Sequence, residues 1–360
     1  MTFIDFFGGA GFIRKGMEQA GHKCIGYCEI DKFAVKSYYA IYGKSEDEWY
    51  ERDVRAADPD RMPDAECYCA GFPCQTFSIA GKRGGFDDMR GTLVFEVFRL
   101  AKAKRPHILF LENVEGLLNH DGGRTFGTIL AAMDEIGYDA QWQLLNSRYF
   151  GIPQTRERVF IVGHLRGTSR PEVFPIYGTD NKNTKIGIQM ICDDGPGHKW
   201  HFKNDITPPL RANGGGDKPG IMVYQKTHGC STTIKCGETG TLQAARLDKV
   251  PCIEVKQLYN IMPTSTRNNP NQGRVFDPQG IVPCLNSMGG GNLQPFVELE
   301  SDIRRLTPRE CWRLQGATDA DFDKAAAVNS ESQLYKQAGN GATINVIYEI
   351  ARRLTNEKVN

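Results

Sequence analysis

Short apolar runs alternate with amphipathic stretches along residues 2–165. Residues 2–7 are apolar and β-prone, glycines follow, and an amphipathic stretch continues to Ala20. Residues 23–29 read as a second strand and 32–42 as a helix. Further buried strands are predicted over 66–70, 108–112 and 159–163, and helical periodicity over 92–103 and 125–136. This alternation predicts an α/β domain, a mostly parallel sheet with helices on both faces. Ligands of such sheets sit at the carboxyl ends of the strands. Asp5, Glu29, Cys74 and Glu112 all fall at or just beyond such ends.

From about residue 166 to 300 the texture changes. Gly, Pro, Thr and Asn rise, and helical periodicity is lost. Three loosely similar stretches, at 207–223, 239–253 and 282–297, read as short strands joined by glycine loops, too irregular for a solenoid. A small, irregular β-rich domain is expected over 166–300. After it, Thr307 reads as an N-cap, with Pro308 opening the helix and Glu310 completing the box. Another amphipathic helix is expected over 342–354. The chain thus leaves its first domain, builds a second and returns, so that 1–165 and 301–360 form one unit.

Composition narrows the classes. With 360 residues, 40% of them hydrophobic and 24% charged, a sizeable packed core is within reach. A formal net charge of +1 argues against a histone-like binder, though not against a local basic cleft. The 11 cysteines form no regular framework, and Cys67-Tyr68-Cys69 lacks zinc-site spacing, so reduced thiols and no metal are expected. The N-terminus enters a strand at once, without a signal-peptide pattern, and no apolar run reaches the roughly 20 residues of a membrane span.

The chemistry gathers in a few segments. In Gly71-Phe72-Pro73-Cys74-Gln75-Thr76-Phe77-Ser78, a proline fixes the backbone just before a thiol at a strand end, and small or polar residues follow. That setting presents a nucleophile, whereas a free cysteine is usually a buried small hydrophobe. Glu112 ends another apolar strand and is followed by Asn113, placed to orient the loop. Arg156 and Arg158 lead into a third strand. A thiol, a carboxylic acid and paired guanidiniums at strand ends can attack and activate an electron-poor ring. Asp5-Phe6-Phe7-Gly8-Gly9-Ala10-Gly11 makes a strand-to-helix turn where backbone can approach a ligand. Alone it fits a dinucleotide site or a plain structural turn. Glu29, at the next strand end, favours a ribose-bearing ligand. Gly81-Lys82-Arg83-Gly84-Gly85-Phe86 reads as a mobile basic loop or as a merely solvated one.

These motifs, in this order and over residues 3–354, resemble the DNA cytosine-5 methyltransferase family of bacterial or phage type. Arg304-Arg305-Leu306-Thr307-Pro308-Arg309-Glu310-Cys311 and Gln337-Ala338-Gly339-Asn340 match its late motifs. The resemblance implies a Rossmann-like methyltransferase domain with a target recognition domain over 166–300. It implies S-adenosyl-L-methionine as donor and S-adenosyl-L-homocysteine as product. Phe7, Gly9, Gly11, Glu29, Ile30, Asp53, Val54, Pro73, Leu93, Asn340 and Ala342 would hold the donor. Cys74 would be the nucleophile, Glu112 the acid, Arg156 the contact to the target cytosine around O2, and Arg158 a buttress. Gln75, Ser78, Lys82 and Arg83 would meet double-stranded DNA, from which the target base must be extruded. The chain departs from the family pattern twice. Phe12 stands where a second glycine is usual, and Gly341-Ala342 where serine and valine are usual.

The resemblance further implies a restriction-modification or phage-protection system with a functionally paired cognate restriction endonuclease, while reduced thiols point to a cytoplasmic enzyme and a single catalytic centre makes a monomer the expectation. Three other readings compete. A tRNA cytosine-5 methyltransferase sits poorly with the long glycine-rich second region. An inactive DNA-binding relative sits poorly with Cys74, Glu112 and Arg156 together. A nicotinamide oxidoreductase leaves Pro73-Cys74 and Glu112-Asn113 unexplained.

Overall fold

In the computed structural model, residues 1–73, 93–177 and 302–355 are described, with shorter segments at 190–192, 200–202, 224–227, 230–233, 257–260, 274–276, 281–285 and 295–299. Strands β1 (Thr2–Phe6), β2 (Lys23–Cys28), β3 (Trp49–Glu51), β4 (Cys67–Gly71), β5 (Ile108–Val114) and β6 (Tyr138–Asn146) enter one sheet. The two-residue β7 (Gln154–Thr155) lies apart, and β8 (Glu157–Leu165) completes the sheet in the order β3-β2-β1-β4-β5-β8-β6. The expected mostly parallel α/β sheet is therefore present. β8 alone opposes its neighbours, β5 and β6. Between β1 and β4 the strand order reverses. Their carboxyl ends, carrying the glycine turn and the chain leading to Pro73, thus flank the crevice where such sheets bind ligands.

Side-chain alternation divides the core on the sheet in two, and a third cluster gathers around Trp312. Ile4, Leu109 and Leu111 point into one buried cluster, and Phe3, Ile108 and Phe110 into the other. Helices α1 (Phe12–Gln19), α2 (Lys32–Tyr42), α3 (Leu93–Lys104) and α4 (Arg124–Glu135) cover the faces. Val97, Leu100 and Ile129 serve the first cluster, and Ile13 and Met17 the second. The chain returns through α5 (Pro308–Arg313), α6 (Asp319–Ala326), α7 (Glu331–Asn340) and α8 (Ile344–Ala351). The capping box of Thr307 and Glu310 forms as the sequence predicts. At Gly16, a Cβ would lie 2.6 Å from Ile347, so only glycine lets α1 and α8 touch.

β6 has no counterpart among the predicted strands. Asp139, Gln141 and Gln143 break its apolar run, yet all three are buried. Gln141 Oε1 accepts from the Val173 N–H at 3.1 Å. Gln143 accepts from the Ile176 N–H at 2.8 Å and donates to its carbonyl at 3.0 Å. Asp139 takes the Arg166 Nε at 2.9 Å. Val173, Phe174 and Ile176 belong to the second core cluster, so the chain stays with the sheet beyond residue 165.

The segments between 190 and 299 are short strands. β9 (Met190–Cys192) pairs with β10 (Trp200–Phe202), and β11 (Tyr224–Thr227) with β12 (Cys230–Thr233). β13 (Gln257–Asn260), β14 (Arg274–Phe276), β16 (Phe296–Leu299) and β17 (Asp302–Arg305) form a four-stranded sheet. β15 (Val282–Pro283) pairs instead with β7. β17 lies past residue 300 and still belongs to the smaller sheet. Among the described residues, no helix is long and apolar enough to cross a membrane.

Candidate active site

The turn after β1 uses left-handed backbone three times: Phe7 has φ 58°, Gly9 φ 57° and Gly11 φ 85°. That conformation is unfavourable for Phe7, and such strain gathers at functional turns. The Gly8 N–H donates to the Cys28 carbonyl at 3.1 Å, tying the turn to the end of β2. Just beyond that end stands Glu29. One of its oxygens accepts from the Gly9 N–H at 2.8 Å, the other from the Asp31 N–H at 2.7 Å. Burial raises its pKa, and these N–H groups oppose the rise. Ile30 beside it is 54% exposed, an apolar surface next to a carboxylate.

The remaining predicted donor residues are unequal. Asp53 is held by Arg55, whose Nη2 lies 2.6 Å from Oδ2, and its pKa is lowered mainly by that bond. The Val54 side chain is buried in the first cluster, and Leu93 packs against the same cluster. Val54, in the 3-10 turn Val54–Ala56, and Leu93, at the start of α3, are thus both drawn into the core. Asn340 ends α7 exposed, while Ala342 is buried in the second cluster.

Under the glycine turn, Asp5 is fully buried and neither carboxylate oxygen has a hydrogen-bond partner. A Cβ on Gly8 would come within 3.3 Å of it. Burial pushes the Asp5 carboxyl up to about 8, and nearby Arg14 offsets only part of this.

The second group of residues lies on β4, β5 and β8. Gly71 is in register with Glu112. The Asn113 side chain donates to the Phe72 carbonyl at 2.8 Å and accepts from the Val114 N–H at 2.8 Å. These bonds fix the backbone that runs into Pro73. Cys74, Gln75, Ser78, Lys82 and Arg83 lie outside the described residues. Glu112 is 8% exposed, and Arg158 Nε lies 3.1 Å from its Oε1. Burial raises the pKa of Glu112, with the charges of Arg158 and Arg156 opposing.

Arg156 is 1% exposed. Its Nη1 donates to the Leu285 carbonyl at 2.9 Å and to Cys284 Sγ at 3.2 Å. Its Nη2 donates to the carbonyls of Gly339 at 2.9 Å and Gly341 at 2.7 Å. Burial, helped by the like charge of Arg158, pushes its pKa down to about 10. The sequence assigned ring contact to Arg156 and buttressing to Arg158. The two Nη atoms of Arg156 face backbone carbonyls and the Cys284 sulfur, whereas Arg158 lies beside the Glu112 carboxyl group and donates to the Glu157 carbonyl. Alternation alone could not separate two arginines two residues apart. The anchors at 284–285 and 339–341 lie more than a hundred positions away in the chain.

The family model for C-5 cytosine-specific DNA methylase matches residues 1–356. The chain belongs to that family. Membership sets it in the DNA (cytosine-5)-methyltransferase enzyme class, as the motifs implied. It is 31% identical to the orphan methyltransferase M.SPBetaI of Bacillus phage SPbeta over 448 aligned residues, covering 100% of this chain and 98% of that one. It is 30% identical to the type II methyltransferase M.HhaI of Haemophilus parahaemolyticus, covering 98% and 93%. The fold is shared with the Dnmt2 methyltransferase of S. pombe (TM-score 0.60, 13% identity, 98% of each chain covered). It is shared also with a DNA modification methyltransferase encoded within an E. coli prophage (TM-score 0.56, 19% identity, 98% of each chain).

Proposed function

We propose that this methyltransferase moves a methyl group from S-adenosyl-L-methionine to carbon 5 of a cytosine extruded from double-stranded DNA within a short specific sequence. The observation that carries the reading is the buried Glu112 beside Arg158, in register with Gly71 on the strand that leads to Pro73-Cys74.

The Cys74 thiolate adds to carbon 6 of the ring, and Glu112 supplies or shares the proton at ring nitrogen 3. Carbon 5 becomes enamine-like and nucleophilic. Arg158 stabilises charge developing around O2. Arg156 positions this corner by holding the loops around it. After methylation, loss of the carbon-5 proton and expulsion of sulfur restore the ring.

The donor supplies an electrophilic methylsulfonium, and the residues present fit it. A carboxylate offers about four acceptor positions. In Glu29 the N–H groups of Gly9 and Asp31 occupy one on each oxygen, leaving room for ribose hydroxyls. Exposed Ile30 offers a face to the adenine. Asp53, Asn340 and backbone around Phe7, Gly9, Gly11 and Pro73 complete the cradle.

Gln75, Ser78, Lys82 and Arg83 meet the DNA backbone and flanking bases, and the 166–300 region reads sequence in the major groove. The chain acts as a cytoplasmic monomer, since one catalytic centre suffices for an asymmetric reaction. In its host it protects DNA, alone or beside a restriction endonuclease of the same specificity. Bisulfite sequencing of plasmid DNA from cells expressing the chain or its Cys74→Ala variant tests the reading. Protected cytosines in one recurring context, absent with the variant, are expected. Unaltered protection by Cys74→Ala would remove Cys74 as nucleophile, and no protection by the soluble wild-type chain would remove DNA as substrate.

A further inference from the structure

Phe12 and Gly341 are far apart in sequence and in contact in the fold. Gly341 has φ −71° and ψ 148°, a backbone conformation open to any residue. Its lack of a side chain is therefore a matter of space. A Cβ at 341 would lie 2.1 Å from Cδ2 and 2.4 Å from Cε2 of Phe12. Neither partner is free to give way. The Phe12 ring meets Trp312 edge to face at 5.0 Å and is 4% exposed. Gly11 just before it is in the left-handed region, and its carbonyl accepts from the Tyr42 hydroxyl at 2.5 Å. On the other side, the Gly341 carbonyl is held by Arg156 at 2.7 Å and its N–H by the Gln337 carbonyl at 2.9 Å.

The two departures from the family pattern are thus one feature. The ring at 12 occupies the volume that a side chain at 341 would take. The contact joins two donor-binding segments, the glycine turn at 7–11 and the stretch around 340–342. We infer that Phe12 and Gly341 are a matched pair of positioning residues, and that their contact sets the spacing of the two walls of the donor site. This rests on the reading of that site as the S-adenosyl-L-methionine cradle.

A double-mutant cycle tests the pairing. Phe12→Gly, Gly341→Ser and the double variant are compared for KM of S-adenosyl-L-methionine, kcat at saturating donor, calorimetric binding of S-adenosyl-L-homocysteine and Tm. Gly341→Ser alone overpacks the contact, so donor KM should rise roughly tenfold or more, with kcat nearly unchanged. Phe12→Gly should also weaken the donor, through loss of the wall. The double variant should return to within about threefold of wild type, because removal of the ring makes room for the serine. If Gly341→Ser is insoluble, soluble and donor-binding double variant supports the same pairing. Wild-type KM in Gly341→Ser, a double variant no better than Gly341→Ser, or coupling seen in Tm but not in KM would overturn the positioning role. Failure of the wild-type chain to bind S-adenosyl-L-homocysteine would overturn the donor reading and the positioning role with it, while coupling of the Tm values would still report the pairing.

Discussion

Glu29, half-buried, and Glu112, buried, are carboxyl groups at the carboxyl ends of strands that pair in parallel, and desolvation raises the pKa of both. Their neighbours make them different instruments. Each oxygen of Glu29 accepts a backbone N–H, an arrangement that fixes it as an acceptor. Glu112 faces the Arg158 guanidinium, across from the strand that delivers the thiol segment. Burial lifts the Glu112 carboxyl above its ordinary range and the Arg158 charge opposes that rise, a setting suited to proton handling. On the proposed function, the same residue type in the same topological position serves binding at one strand end and proton handling at the other.

The sharpest way to break this contrast is Glu112→Gln. Removing a general acid lowers the chemical step by about 10²–10⁴-fold, while donor KM should move little. Single-turnover methyl transfer measures the first and donor titration the second, and a near-normal rate would merge the two roles.

Arg156→Met and Arg158→Met come next. Arg156→Met leaves the carbonyls of Leu285, Gly339 and Gly341 without their donor, so stability should fall by about 3 kcal/mol or more, read by denaturant unfolding. Arg158→Met should leave stability closer to wild type and lower the rate. Arg158 holds the pKa of Glu112 down. Its loss should therefore move the descending limb of the pH–rate profile to higher pH. Equal unfolding midpoints for the two variants would undo the division between them.

Glu29→Gln should show the complementary pattern to Glu112→Gln. Loss of hydrogen bonds to a charged group costs about 1.5–3 kcal/mol, so donor KM should rise roughly tenfold to a hundredfold, with kcat at saturation largely kept.

A pH-dependent test concerns Asp5, away from the reacting groups. Its folded pKa, about 8, lies above its ordinary 3.8. The folded state therefore holds the proton more tightly, and the stability this contributes is full below the ordinary value. It is lost as pH rises towards the folded one. Between about pH 4 and 8 the urea midpoint of the wild-type chain should fall relative to Asp5→Asn. Parallel midpoint curves would place the proton elsewhere.

Much of this was legible because apolar runs end in reactive groups. Residues 2–7, 66–70 and 108–112 announce strands and place Asp5, the thiol segment and Glu112 at their ends. β6 was hidden because Asp139, Gln141 and Gln143 look solvent-facing, although the two glutamines meet buried backbone and Asp139 meets the guanidiniums of Arg166 and Arg170. The reversed direction of β8 leaves no trace in an apolar pattern, since a buried strand reads alike either way. The division between Arg156 and Arg158 depended on carbonyls from remote segments. Phe12 and Gly341 each stood out as a departure, but their dependence on one another needed the distance between them.

The glutamine ladder of β6 has one more consequence, for how such a chain can vary. Gln141 and Gln143 fasten the outgoing backbone at 173–176, and Gln154 and Arg156 fasten the returning one at 282–285. Both moorings lie in the part of the fold that carries the large sheet. A span tethered at both ends by such moorings can be lengthened at small entropic cost, because each doubling of a flexible loop adds only about 0.6 kcal/mol. A change in the length of the chain between them therefore leaves the chemistry around it in register.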